Sequence, residues 1–344
     1  MTKIAEAIDV GWGNTKFTKR SASGEVRCAL FPSVTQWHTT DPARSILGDR
    51  RDTVAILGDG MYYEVGPGIA GARGKYRTTN MHDDYIDTPE YAALVKGALT
   101  YMDRPRIDVL VMGLPVKHLV AKRAQLERRW TGEHEIGGGK RIVIERVRVF
   151  AQPQGALAHY STTTNQASVR KDDLNLVIDP GQRTFDWLVS RGMVLVQGQS
   201  SSTDRGMHDI LSAIAEAIST EIGDEYRDLE AIDTALRSRK PLTLYQRPFP
   251  LDRFRPIVET ITREAVSRMK EHLRDVAAIQ NILLVGGGAS VFKGAVKAAF
   301  PKHRITDIRE PVFANVRGFY RIAEEILATQ PQGAAPTTPK QGAV

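Results

Sequence analysis

Short apolar runs closed by glycine turns set the rhythm of this chain. Ile4 to Val10 is such a run, broken at Gly11-Trp12-Gly13-Asn14-Thr15 and resumed at Lys16-Phe17-Thr18. Glycines at the tip of a strand pair predict a hairpin. Several short strand-like segments follow between Arg27 and Tyr63, and Gly66 to Gly74 reads as an exposed glycine-rich loop. Leu94, Val95, Ala98, Leu99 and Met102 recur at helical spacing, which predicts an amphipathic helix over Pro89–Met102. The run from Asp108 to Met112 is continuously apolar after its first residue, as in a strand buried on both faces. Gly113-Leu114-Pro115 ends it, and Val116 to Trp130 reads as a basic, amphipathic helix. Arg141 to Phe150 reads as one strand, after a turn at Gly137 to Lys140, and a helix follows through Tyr160.

The second half repeats the opening. Leu174 to Asp179 is a buried strand, Asp179-Pro180-Gly181-Gln182-Arg183-Thr184 a turn, and Phe185 to Ser190 the returning strand. The polar cluster Ser200 to Thr203 is placed to cap a helix over Asp204–Thr220. A long amphipathic helix is expected from Pro256 to Val276, a strand from Asn281 to Val285 closed by Gly286-Gly287-Gly288, and a last helix from about Asn315 to Leu327. Gln330 to Val344 lacks aromatic and acidic residues and is expected to be disordered. Ile8-Asp9-Val10-Gly11 and Ile178-Asp179-Pro180-Gly181 share one pattern, each followed by a threonine (Thr15, Thr184) and a returning strand. They lie half of the 344-residue chain apart, which suggests two related lobes, each giving one glycine hairpin to a shared cleft.

Composition narrows the field. The chain is 42% hydrophobic and 25% charged, ordinary for a folded α/β protein, and has no run long enough for a membrane helix. The net charge of +7 is spread along the chain and fits polyanionic ligands without marking a nucleic-acid domain. One cysteine, Cys28, excludes an internal disulfide framework and points to a reducing, cytoplasmic setting. Gly137-Gly138-Gly139-Lys140 lacks the hydroxyl residue and spacing of a phosphate loop, so it is read as a hairpin turn. No HExxH zinc motif and no GxSxG elbow occurs.

Two glycine turns facing one cleft offer close approach and backbone N–H groups to an anion. Asp9 and Asp179, at the two strand ends, could hold Mg²⁺ through its water shell, and Lys16 could add a point charge to phosphates. With these residues in place, five segments in order resemble the actin/Hsp70/sugar-kinase ATPase superfamily. They are Asp9–Lys16 and Asp179–Asp186 as phosphate loops, Gln152–Tyr160 and Phe313–Gly318 as connections, and Leu283–Phe292 as the adenosine motif. Phe313-Ala314-Asn315-Val316-Arg317-Gly318-Phe319 is similar to the plasmid-segregation actins of the ParM/StbA type, a group that includes the ParM-like proteins of PRTRC plasmid systems.

That resemblance implies an α/β actin-like ATPase fold, two duplicated ribonuclease-H-like lobes around a nucleotide cleft. It divides the chain into lobe I (1–157), lobe II (158–310), a returning C-terminal helix (311–328) and a tail (329–344). It implies Mg²⁺ and ATP or GTP, with Gly11, Gly13, Asn14, Thr15 and Lys16 on one side of the phosphates and Gly181 and Thr184 on the other. Asp9 and Asp179 would hold the metal's water shell and Gln154 would position the attacking water, with Gln152 as its alternative. Gly287 and Gly288 would pack on the adenosine, Phe292 would flank the base, and Gly206 would line the opposite wall. Pro180, Gln182 and Arg183 depart from the smaller residues usual in the second loop. The implied function is nucleotide-driven polymerisation into filaments that segregate plasmid DNA through a DNA-bound adaptor of the ParR type. No direct sequence-specific DNA contact and no membrane partner is expected. The rival within the superfamily is a non-filamentous small-molecule kinase or regulatory ATPase.

Overall fold

The computed structural model describes residues 3–21, 23–42, 51–71, 77–78, 84–163 and 169–329. The expected tail beyond residue 329, and part of the loop between Gly66 and Gly74, lie outside the described residues.

In lobe I, β1 (Ala5–Val10), β2 (Asn14–Arg20) and β3 (Val26–Pro32) form an antiparallel meander. β4 (Val109–Leu114) adds parallel to β1, and β5 (Val147–Ala151) parallel to β4. The order across the sheet is β3-β2-β1-β4-β5. Lobe II repeats it: β6 (Leu174–Pro180) and β7 (Phe185–Arg191) are antiparallel, with β8 (Val194–Leu195) and β9 (Ser201–Thr203) on the outer side of β7. β10 (Ile279–Leu284) then runs parallel to β6 and β11 (Ile305–Asp307) parallel to β10. The duplication read from two I-D-x-G segments is thus a duplication of whole sheets.

The central strands alternate between two buried faces, which is why they read as largely apolar runs, Glu6 and Asn175 being buried exceptions. In lobe I, Ile8, Leu110 and Met112 join the core under α1 (Pro89–Met102), and α2 (Val116–Trp130) flanks β5. Ala5, Ala7, Val109 and Val111 face the other way, onto Val316, Phe319 and Ala323 of the C-terminal helix α8 (Ala314–Ala328). In lobe II, Leu176, Ile178, Ile282 and Leu284 meet the core built by α4 (Met207–Ile222), α5 (Leu229–Ser238), α6 (Arg255–His272) and α7 (Ala289–Ala299). Val177, Leu188 and Leu283 face Ala156, Leu157 and Tyr160 of α3 (Gln152–Thr163). So α3 leaves lobe I and packs on lobe II, while α8 leaves lobe II and packs on lobe I.

Two sequence expectations change. Arg141 to Phe150 is two strands in different sheets, since Arg141–Ile144 pairs with Gly132–Glu135 and Arg106–Ile107 in a small separate sheet, whereas β5 joins the central one. Ser201 to Thr203 is not a helix cap: it extends the lobe II sheet as β9. Helix α4 instead starts after Gly206, whose N–H donates to Asp209 Oδ2 at 3.1 Å. No helix among the described residues is long and apolar enough to cross a membrane.

Candidate active site

The two glycine turns are built alike. Gly11 N–H donates to Asn14 O at 3.1 Å, and Gly181 N–H to Thr184 O at 2.8 Å, so each turn closes on the residue three positions on. Across the strand pairs Asp9 stands opposite Lys16, and Asp179 opposite Asp186. The turn partner of Thr184 is therefore Asn14, one residue before the Thr15 matched to it by sequence. Thr15 is fully buried, bonded to Ser33 Oγ at 3.0 Å, and is absent from the cleft wall, where the sequence placed it. Ser33 in turn donates to Gly11 O at 2.6 Å and so fixes the first turn from behind.

The turns face each other across a narrow cavity of about 100 Å³. Its wall includes Asp9, Gly11, Gly13, Asn14, Lys16, Asp179, Gly181, Thr184, Gly287 and Gly288, all expected from the sequence. At its floor the aspartates are held symmetrically by the two helices that cross between the lobes. Gln152, the first residue of α3, donates through Nε2 to Asp9 Oδ1 at 2.8 Å. Asn315, in the first turn of α8, donates through Nδ2 to Asp179 Oδ2 at 2.7 Å. Lys16 Nζ lies 2.9 Å from Asp9 Oδ2. Asp186 is fully enclosed, accepting from Thr184, Ser202 and the Val116 N–H.

Burial pushes the Asp179 carboxyl up to about 7, the Asn315 bond pulling down and the nearby Asp186 pushing further up. Burial likewise raises Asp186, against the pull of its hydrogen bonds. Two enclosed carboxylates with few compensating charges suit a site completed by a cation. Asp9 and Asp179 fit Mg²⁺ by donor chemistry, and Asn315 Oδ1 is a buried acceptor without a partner beside them, suited to a water of the metal's shell. Among the described residues no three His, Cys, Asp or Glu side chains converge on a metal, so water and ligand oxygens would complete the shell.

The structure rearranges three further expectations. Gln154 is turned away from the cleft, its Oε1 accepting the Ala151 N–H at 3.0 Å, and Gln152 takes the position facing Asp9. Phe292 is fully buried in lobe II, 5.2 Å from the Phe185 ring, and cannot flank a bound base. Its spacing with Ala289 and Val296, one helical face of α7, is a core stripe. Gly206 does not line the cleft. A Cβ there would come within 2.6 Å of the Gln182 and Arg183 backbone, so its lack of a side chain lets α4 dock under the second turn, where Met207 and His208 donate to Gly181 O and Gln182 O.

Some cleft residues carried no assignment from the sequence. Arg237 of α5 donates to the Gly287 carbonyl and to Asp233 Oδ2, and Asp233 Oδ1 stays buried without a partner in the cleft wall. An aspartate four residues before an arginine is an ordinary helix pair, so spacing gave no signal. Asn315 stood within the quoted C-terminal segment but received no role.

Two sheets of one topology, joined by two crossing helices around a single cleft, define the actin-like ATPase fold. Residues 7–155 match the family model described as the N-terminal domain of actin-like proteins, and residues 177–298 the one described as the C-terminal region of archaeal MreB-like actin homologues. Among solved structures, the archaeal actin homologue Ta0583 superposes with a TM-score of 0.76 at 22% identity, covering 94% of this chain and 99% of that one. A 15-stranded ParM filament from Clostridium botulinum gives 0.74 at 20%, covering 94% and 100%. Apo pSK41 ParM gives 0.68 at 17%, covering 95% and 99%. At these identities the likeness is one of fold, shared with ParM proteins and archaeal actin homologues alike. A search of curated proteins returned no match.

Proposed function

We propose that this chain binds ATP or GTP with Mg²⁺ in the cleft and hydrolyses it, and that the nucleotide state governs its polymerisation into filaments. The observation that carries this reading is the floor of the cleft: Asp9 and Asp179, each held by an amide from a helix that crosses to the other lobe. A ligand bridging the two aspartates bears on both crossing helices, and so on the angle between the lobes.

The turns from Gly11 to Asn14 and from Gly181 to Thr184 flank the phosphates, and Lys16, drawn from Asp9, supplies a positive charge to them. Asp9 and Asp179 would hold the water shell of Mg²⁺, which would supply charge neutralisation for the phosphates. Gln152, at the start of α3, orients the attacking water, the role that the resemblance assigns to Gln154 with Gln152 as its alternative; placement and charge stabilisation carry most of such a reaction. Asp233 Oδ1 suits the hydroxyls of a ribose, with Gly287, where an added carbon would meet only Arg237 at 3.9 Å, leaving room for the nucleoside, while Gly288 packs on Pro180 and Met207.

The cellular role we infer is plasmid DNA segregation in the cytoplasm through a DNA-bound adaptor of the ParR type, supported by the fold shared with ParM proteins. Phosphate release measured beside light scattering, with and without each nucleotide, tests the reading. Turnover with assembly supports it; turnover that needs a small-molecule acceptor, without assembly, replaces it with a kinase.

A further inference from the structure

The tips of the two turns touch, through side chains larger than a phosphate-binding turn requires. Trp12, at the tip of the first turn, stacks on Tyr85 with ring centroids 4.6 Å apart. On it lies the guanidinium of Arg183, from the tip of the second turn, 4.7 Å from the ring centre. A Cβ added at Gly13 would meet Gln182 Cβ at 3.0 Å, so the turns are also in van der Waals contact. Asp204 of lobe II ties the same place together, with Lys117 of lobe I at 2.9 Å and Arg183 Nε at 3.8 Å.

Each turn is firmly fixed to its own lobe. Ser33 holds the first from behind, and the second is pinned by Met207 and His208 and, at Pro180 O, by the Gly288 N–H at 2.8 Å. Relative movement of the turns is therefore movement of the lobes, and the contact between Trp12 and Arg183 must break for the turns to part. The free space of about 100 Å³ is small beside the ~300–1,000 Å³ of small-molecule sites. Lobe separation would widen that space for a nucleotide to enter or leave.

We propose that Arg183 is an interlobe positioning residue: laid on Trp12, it latches the two phosphate turns together and sets how long a nucleotide stays between them. Arg183 is not in the cleft wall, so the proposal gives it no contact with the phosphates. A guanidinium over an indole is weak enough to open on the time scale of ligand exchange and directional enough to restore one register. The planar cation matters, so lysine should serve less well. The proposal rests on nucleotide binding in the cleft.

The test is a double-mutant cycle in the full chain, using Arg183→Gln, Trp12→Leu and both together, with Arg183→Lys as the conservative variant. The release of a fluorescent N-methylanthraniloyl ATP with Mg²⁺ is followed by stopped flow. Each single variant should release it about fivefold faster, Arg183→Lys less so, and the double variant no faster than either single. Multiplying effects in the double variant, or unchanged release in Arg183→Gln, would overturn the latch. A second arm needs no nucleotide and keeps an aromatic ring at position 12 in its control: in the unliganded protein, Arg183→Gln should change the indole emission through Trp12, with Trp12→Phe cancelling the change. An identical change in the Trp12→Phe background overturns the proposal. If the wild type binds no labelled ATP while this second arm succeeds, the nucleotide reading fails and the contact between the turns stands.

Discussion

Asp179 shows how one buried carboxyl links folding to ligand. Its folded pKa is raised to about 7, whereas an unfolded aspartate titrates near ~3.9. Between those values the folded state holds the extra proton. The unliganded protein is therefore stabilised by this group below pH ~4 and loses that stability as pH rises towards 7. Asp179→Asn keeps an acceptor for Asn315 and removes the ionisation. At pH 8 the unliganded variant should melt several degrees above the wild type; near pH 4 the two should coincide, as thermal scans across pH will report. The same variant should lose Mg-dependent phosphate release. A lower melting point at pH 8 would mean that the carboxylate is satisfied without a cation. Gln152→Ala should slow hydrolysis by tenfold or more, about 1.4 kcal/mol of barrier per factor of ten, with nucleotide binding nearly kept. Gln154→Ala, which loses only a bond to its own helix entrance, should turn over normally. The aspartates stood out because I-D-x-G, a weak pattern alone, ends a strand and opens a glycine turn twice, half a chain apart. Choosing between two glutamines two residues apart was not, because on a helix they point in different directions and the start of α3 was uncertain by that much.

The elements that decide the site are α3 and α8, and glycine decides how closely they cross. A Cβ at Gly318 would lie 1.6 Å from Gly155 O, and one at Gly155 would lie 2.3 Å from Asn315 O. Those backbones touch within one turn of Gln152 and Asn315, so the crossing sets the reach of both side chains. Gly318→Ala should destabilise by about 1–3 kcal/mol or more by overpacking. Gly294→Ala, within α7 with nothing inside 4 Å of the added carbon, should stabilise by about 0.4–1 kcal/mol. Urea unfolding of both variants distinguishes a packing role from a general preference against helical glycine. At this scale α1 and α2 were legible to the residue, because their apolar faces repeat over four turns. The Ser201–Thr203 segment was misread because hydroxyl residues before a helix fit a cap as well as an edge strand. Its pairing with β7, a non-local contact, decided the matter. Helix α5 passed unassigned although Leu229, Ile232, Ala235 and Leu236 repeat on its core-facing side, because at ten residues the run is short enough to be overlooked between loops.

For the whole molecule, the repeat of one sheet order in both lobes was foreshadowed by two four-residue echoes. The cleft between them was not drawn in detail, because the residues that close it come from turns and helix ends far apart in sequence. The central claim is that nucleotide between the lobes fixes their angle and so presents matched surfaces at the two ends of the subunit. Repetition of such a heterologous contact gives a filament rather than a closed ring. On this reading hydrolysis would remove what the nucleotide holds together and shift the lobe equilibrium back. The most direct test is sedimentation of the full chain with Mg²⁺ and a slowly hydrolysed ATP or GTP analogue, beside the matching diphosphate and an Asp9→Ala variant. The account predicts that the triphosphate analogue pellets the wild type, while the diphosphate and the variant leave it soluble. Equal solubility with all nucleotides at micromolar protein and physiological salt would contradict it.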